Sequence, residues 1–170
     1  MKAGRFADAL VDFEQAEESP ENLAAPRSSR RGPEFAYHIG SAFQALGEEA
    51  KAREQFQRGA AAKGTSTLPA TQYCHALCLA GLGDQEAAEQ VFDEMIETGT
   101  KRLAPVDTAD YFAKFGQQET RQARIADAHF AIGLGSLGRA RMDDARTHLS
   151  EAVRLNAGHT WARFHLTNLP

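Results

Sequence analysis

Cys74, His75 and Cys78 come closest in this chain to a reactive or metal-binding constellation. On a helix, thiols four residues apart share one face, and the imidazole stands beside them. Structural zinc asks for four ligands, usually on loop spacings that let the sulfurs converge. A second ligand pair is not evident, because His38, His129, His148, His159 and His165 are scattered along the chain. The cysteines therefore read as small apolar residues of a helix, and His75 as a partly buried ring with a backbone partner. The alternative, a metal or small-molecule site at these three residues, requires bound metal in elemental analysis. No metal or cofactor is expected.

Gly133, Gly135 and Gly138 spell G-x-G-x-x-G. As a dinucleotide fingerprint the motif needs a strand before it and a helix opening after it, so that amide groups converge on pyrophosphate. Here ARIADAHFAI precedes it and reads as helix, so the glycines are expected to serve close helix packing. The pairs Asp143-Asp144 and Glu48-Glu49 stand where helices start, and negative charge there suits the helix dipole. No combination of side chains suggests a converging catalytic pocket. The chain is expected not to be an enzyme.

With 170 residues, 42% hydrophobic and 25% charged, the chain is long enough for a domain with a real core. Its formal charge of −4 offers no general attraction to nucleic acid. Arg27, Arg30 and Arg31, in PRSSRRGP, are the local exception and read as a solvated loop, with a docking patch as the alternative. Apolar runs fall well short of the roughly 18 residues that span a bilayer. Met1 to Arg5 does not lead into the apolar stretch of a signal peptide. The expectation is a cytoplasmic chain with no membrane role, and two cysteines are too few for a disulfide framework.

The elements that would position these residues show as a repeat. Four segments share one small-then-large helical pattern: Gly4, Ala9, Phe13, Ala16; Gly47, Ala52, Phe56, Gly59; Gly83, Ala88, Phe92, Met95; and Ala140, Ala145, Leu149, Ala152. A small residue admits a neighbouring backbone, and the bulky one a turn later fills the gap beside it. Ahead of the last three lies a partner helix: Ile39, Gly40, Phe43 and Leu46; His75, Ala76, Leu79 and Leu82; Ile132, Gly133 and Ser136. The best-defined pair, over 36–60, hinges at Gly47.

These residues resemble tetratricopeptide repeats, helix-turn-helix units of about 34 residues with the pattern W-x2-L-G-x2-Y, then A-x3-F. Trp is absent from the opening position of all three pairs, which loosens the register. The resemblance implies an all-α fold, a right-handed α-solenoid: a half repeat over 3–18, repeats over about 34–62, 69–98 and 120–156, and a C-terminal helix over 158–169. In that helix Trp161, Phe164 and Leu166 are expected to face inward. Ala9, Ala52, Ala88 and Ala145 lie 43, 36 and 57 residues apart, so the stack is interrupted twice. The first excess falls in ENLAAPRSSRRGP. The second predicts an insert helix over about 104–116 carrying Tyr111, Phe112 and Phe115, capped by Asp107 or Thr108, packed on the stack or over its groove. The opening segment looks like the second helix of a repeat without its first, which predicts a fragment or a late start codon, and another copy covering Phe6, Leu10 and Phe13.

In this family the first helices of successive units line a concave face where ligands usually lie. Carried onto this sequence, the groove positions are Tyr37, Ser41 and Gln44, then Tyr73 and Leu77, then Phe130 and Leu134. The clamp that binds chaperone tails uses Lys, Asn and Arg, whereas Tyr37, Ser41, Cys74, Asp127 and Ala131 stand there instead. The resemblance implies a non-catalytic scaffold whose apolar and aromatic groove takes a protein or peptide; the competing reading makes Tyr37, Tyr73 and Phe130 core residues. A second class of function is an oligomerisation or accessory module of a larger bacterial, carbohydrate-related protein. It rests on a weaker likeness of 107–166 to the C-terminal repeats of large bacterial proteins with a β-sandwich portion.

Overall fold

Gly47, Gly83 and Ala140 each turn the chain through a positive φ, of 78°, 88° and 56°. In all three turns the next amide reaches back five residues to close the preceding helix: Glu48 N to Phe43 O at 2.9 Å, Asp84 N to Leu79 O at 3.0 Å, and Arg141 N to Ser136 O at 2.8 Å. That same residue's carbonyl then opens the following helix, accepting from Ala52, Ala88 and Ala145 at 3.0, 3.1 and 3.0 Å. One hinge is thus used three times, at the positions that head the sequence pattern.

The computed structural model describes residues 6–17, 27–62, 68–104 and 121–169. Among them the regular structure is all helical, without strands: α1 (Phe6–Glu17), α2 (Arg27–Ala45), α3 (Glu49–Ala61), α4 (Pro69–Gly81), α5 (Gln85–Leu103), α6 (Arg121–Gly138), α7 (Met142–Leu155) and α8 (Thr160–Thr167). None of these helices is long and apolar enough to cross a membrane. The expected insert helix, with Tyr111, Phe112 and Phe115, lies outside the described residues apart from its first position. The chain divides into two units, Met1–Val91 and Phe92–Pro170, with the boundary inside α5.

In the first unit α2 packs on α1, α3 and α4, and α3 on α4. The centre is Ala36, Ala52, Phe56 and Cys78, with Tyr37, Phe43, Ala60 and Leu82 against it. Phe56 is seated between two glycines: a Cβ on Gly40 of α2 would lie 2.6 Å from its Cε1, and one on Gly81 of α4 would lie 2.9 Å from its Cδ2. Bare backbone on both neighbours is what lets three helices close around one ring.

In the second unit α6 packs on α7, and α7 on α8. Gly133 faces Leu149 of α7, where an added Cβ would come within 2.8 Å of Cγ, and Gly138 faces the Phe92 ring of α5. The relation of Gly40 and Gly81 to Phe56 is therefore repeated by Gly133 to Leu149 and Gly138 to Phe92. Ala52, Ala88 and Ala145 are all buried, at 1% or less exposure.

Three expectations need correction. Arg27 to Pro33 do not form a loop: α2 starts at Arg27 and runs through Pro33. That proline has no N–H to donate, and Pro33 is nevertheless buried, its carbonyl accepting from the Cys78 thiol at 3.9 Å. Trp161 and Phe164 are exposed, at 42% and 55%, while Ala162 is fully buried. The inward stripe of α8 is instead Ala162, His165 and Leu166, because packing at Ala162 sets the helix phase. Leu46, expected on the buried face of α2, is exposed because it already belongs to the Gly47 turn.

Candidate functional site

Tyr37, Ser41 and Gln44 succeed one another along α2 at helical spacing, and Tyr73 and Leu77 do the same on α4. Tyr37, Ser41, Tyr73 and Leu77 are half-buried and Gln44 is exposed. The Ser41 hydroxyl donates to the Tyr37 carbonyl at 2.7 Å, a bond that ties the side chain to its own helix. Tyr37 leans on Phe56, with ring centroids 6.4 Å apart, and on the edge of His38 at 5.3 Å; the His38 ring in turn stacks on Phe13 of α1 at 5.2 Å. One aromatic row therefore runs from α1 across α2 to α3.

The five residues on this face are uncharged near neutral pH. Burial raises the Tyr37 phenol above its ordinary value, against a lowering hydrogen bond from Ser41. Tyr73 is raised further, first by burial and then by Tyr37 and Cys74 nearby. Both phenols stay protonated at any physiological pH and act as neutral hydrogen-bonding groups. Tyr37 stands on α2 and Tyr73 on α4, two helices that pack on each other. Five of the seven expected groove residues are thus carried by two adjacent helices of the first unit.

The other two are placed differently. Phe130 is 3% exposed and Leu134 is fully buried in the second unit. Phe130 is covered by His159 and by His165 of α8, with ring centroids 4.5 and 6.1 Å away. As placed, neither presents surface to a ligand.

Cys74, His75 and Cys78 do not act together. Burial pushes the Cys78 thiol up to about 12, so it is neither nucleophile nor thiolate ligand near neutral pH. His75 turns to α3, where its Nδ1 lies 3.1 Å from the Gly59 carbonyl. A carbonyl only accepts, so that nitrogen carries the proton. Among the described residues no three His, Cys, Asp or Glu side chains converge as metal ligands would. The G-x-G-x-x-G residues lie within α6 and pack on Leu149, Ile96 and Phe92, as close helix contacts rather than a loop opening a helix.

Three polar arrangements carry no signal in the sequence. Thr71 donates to the buried Glu34 carboxylate at 2.6 Å, joining α4 to α2. His159 accepts at Nδ1 from the Ala162 amide at 3.1 Å, capping α8, while its Nε2 faces Asp127 of α6 at 3.2 Å. His129 of α6 and His148 of α7 meet Nδ1 to Nδ1 at 2.9 Å. The His159 cap is local, but Thr71 with Glu34, His159 with Asp127 and His129 with His148 join residues 19 or more apart in sequence, and only the helix pattern of the whole unit would have found them.

No protein-family model matches the chain, and comparison with curated proteins and with solved structures gives no significant match.

Proposed function

We propose that this chain is a non-catalytic scaffold, a right-handed α-solenoid of tetratricopeptide-like repeats, that holds an amphipathic helix or extended peptide on the face made by α2 and α4. One observation supports the repeat reading above all others. The same hinge hydrogen bond and the same glycine-on-bulky-residue contact recur in both units. The ligand face consists of Tyr37, Ser41, Gln44, Tyr73 and Leu77. Two neutral phenols, an exposed amide and a leucine, with no cation among them, suit an apolar or aromatic partner and offer no positive charge to a terminal carboxylate.

The test pairs two substitutions. Tyr73→Ala is expected to lower affinity for peptides selected on the chain from a displayed library by tenfold or more, about 1.4 kcal/mol, with circular dichroism unchanged. Phe130→Ala is expected to cost about 3–5 kcal/mol of stability while leaving the first unit's binding intact. If Tyr73→Ala destabilises the chain and no selected peptide loses affinity, Tyr73 is a core residue and the groove reading fails.

The second reading is an association module of a larger bacterial, carbohydrate-related protein. The exposure of Trp161 and Phe164 on α8, and of Val11 on α1, favours self-association.

A further inference from the structure

The His129 and His148 rings approach Nδ1 to Nδ1 at 2.9 Å, with centroids 5.1 Å apart. Two lone pairs cannot face each other at that separation, so one proton lies between them. One ring is then the Nδ1–H tautomer and donates; the other carries its proton on Nε2 and accepts. Each ring is anchored on a helix whose packing is fixed a few residues away, Gly133 of α6 against Leu149 of α7. The distance is therefore set by the fold.

We propose that this pair is a proton-operated clasp between α6 and α7, closed with no or one added proton and opened when both rings are protonated. The first added proton goes to the outer Nε2 of the donor ring. It leaves the bridge in place and makes it charge-assisted. A second gives both facing nitrogens an N–H, so the bridge is lost and two imidazolium rings repel each other at the helix contact.

Among the described residues, the charges that shift the pair from outside it are Asp144, Glu151 and Arg154 of α7. Asp144 and Glu151 favour the cation on His148 and Glu151 favours it on His129, while Arg154 opposes it on His129. Glu151 is itself held by Arg154, Nε to Oε2 at 2.7 Å and Nη2 to Oε1 at 2.6 Å, which blunts its support. Burial lowers both histidines first, and for His129 the charge of His148 adds to it. With folded values below the unfolded one, the contribution to stability is fully present above the ordinary histidine value of about 6.5 and is lost as pH falls through the folded values. The clasp goes beyond the scaffold reading and does not need it: it would make the α7 and α8 end of the second unit yield to acid.

The experiment uses the whole chain. Histidine ring NMR across pH 8 to 4.5 should show two coupled steps for His129 and His148, the second well below the ordinary value. Thermal melts should show wild type losing about 3 °C or more between pH 7 and 5 in excess of His129→Gln/His148→Gln. His159→Gln, made in parallel, reports the acid response of a histidine outside the pair. Independent titration of the two rings near the ordinary value, or the same acid response in wild type and double variant, overturns the proposal. So does micromolar binding of Zn²⁺ or Ni²⁺ that abolishes the coupled steps, which would make the pair a metal chelate. Should the double variant not fold, the ring titration in wild type decides.

Discussion

Ala140 is the described non-glycine residue that sits at positive φ, in a turn where the two equivalent positions are Gly47 and Gly83. The left-handed region costs an alanine about 1–2 kcal/mol, and glycine returns part of that gain by loosening the unfolded chain. Ala140→Gly should therefore stabilise by about 0.5–1 kcal/mol, read as a higher urea midpoint at unchanged slope. The reverse changes isolate the same term, because nothing lies within 4 Å of a Cβ at Gly47 or Gly83. Each Gly→Ala there should cost about 1 kcal/mol. This hinge was legible in the sequence, since the three residues head the same pattern. Pairings such as Thr71 with Glu34 were not, because a hydrogen bond between residues 37 apart depends on how two helices cross rather than on either helix's own pattern.

For the helices, the glycines of α6 make a graded prediction. A Cβ at Gly133 would lie 2.8 Å from Cγ of the buried Leu149 and 3.2 Å from its backbone nitrogen; one at Gly135 would lie 2.6 Å from the Phe92 carbonyl, which is backbone. Even with the gain of about 1 kcal/mol from removing a helical glycine, Gly133→Ala should cost about 1 kcal/mol and Gly135→Ala about 2–3 kcal/mol. Chemical denaturation of the two variants checks the order. Sequence pattern placed α6 and α7 well because small and large residues alternate strongly there. It misplaced the inward face of α8, where the most hydrophobic residues, Trp161 and Phe164, are exposed and the small Ala162 is buried. Over eight residues, one buried alanine and a histidine cap outweigh two large side chains in setting the phase. The start of α2 was missed for another reason: Pro33, Gly32 and the serines before it look like loop, yet the helix runs through them.

At the scale of the molecule, the exposed aromatic pair on α8 bears on assembly. The Trp161 and Phe164 rings meet edge to face, with centroids 6.2 Å apart, and paired aromatics in water commonly mark an interaction surface. Light scattering on the whole chain should show association that grows with concentration, and Trp161→Ser/Phe164→Ser should reduce it without shifting the melting temperature by more than about 2 °C. A strict monomer at high concentration would remove the second functional reading and leave the first untouched. The candidate ligand face was legible only in part. Its five first-unit residues were expected from the repeat resemblance, but the placing of Phe130 and Leu134 depended on α8 and its cap, where His165 and His159 close over Phe130.

The seating of Phe56 against Gly81, echoed by Phe92 against Gly138, limits how such a chain can be lengthened. Phe56 of α3 and Phe92 of α5 are pegs, and the helix that follows each, α4 and α6, offers a notch with no side chain in it. A copied or transplanted hairpin whose first helix carries any larger residue at that point would stand off from its predecessor. Splicing new modules into this protein therefore means matching one bare Cα to one ring, while the outward-facing residues are left free to vary.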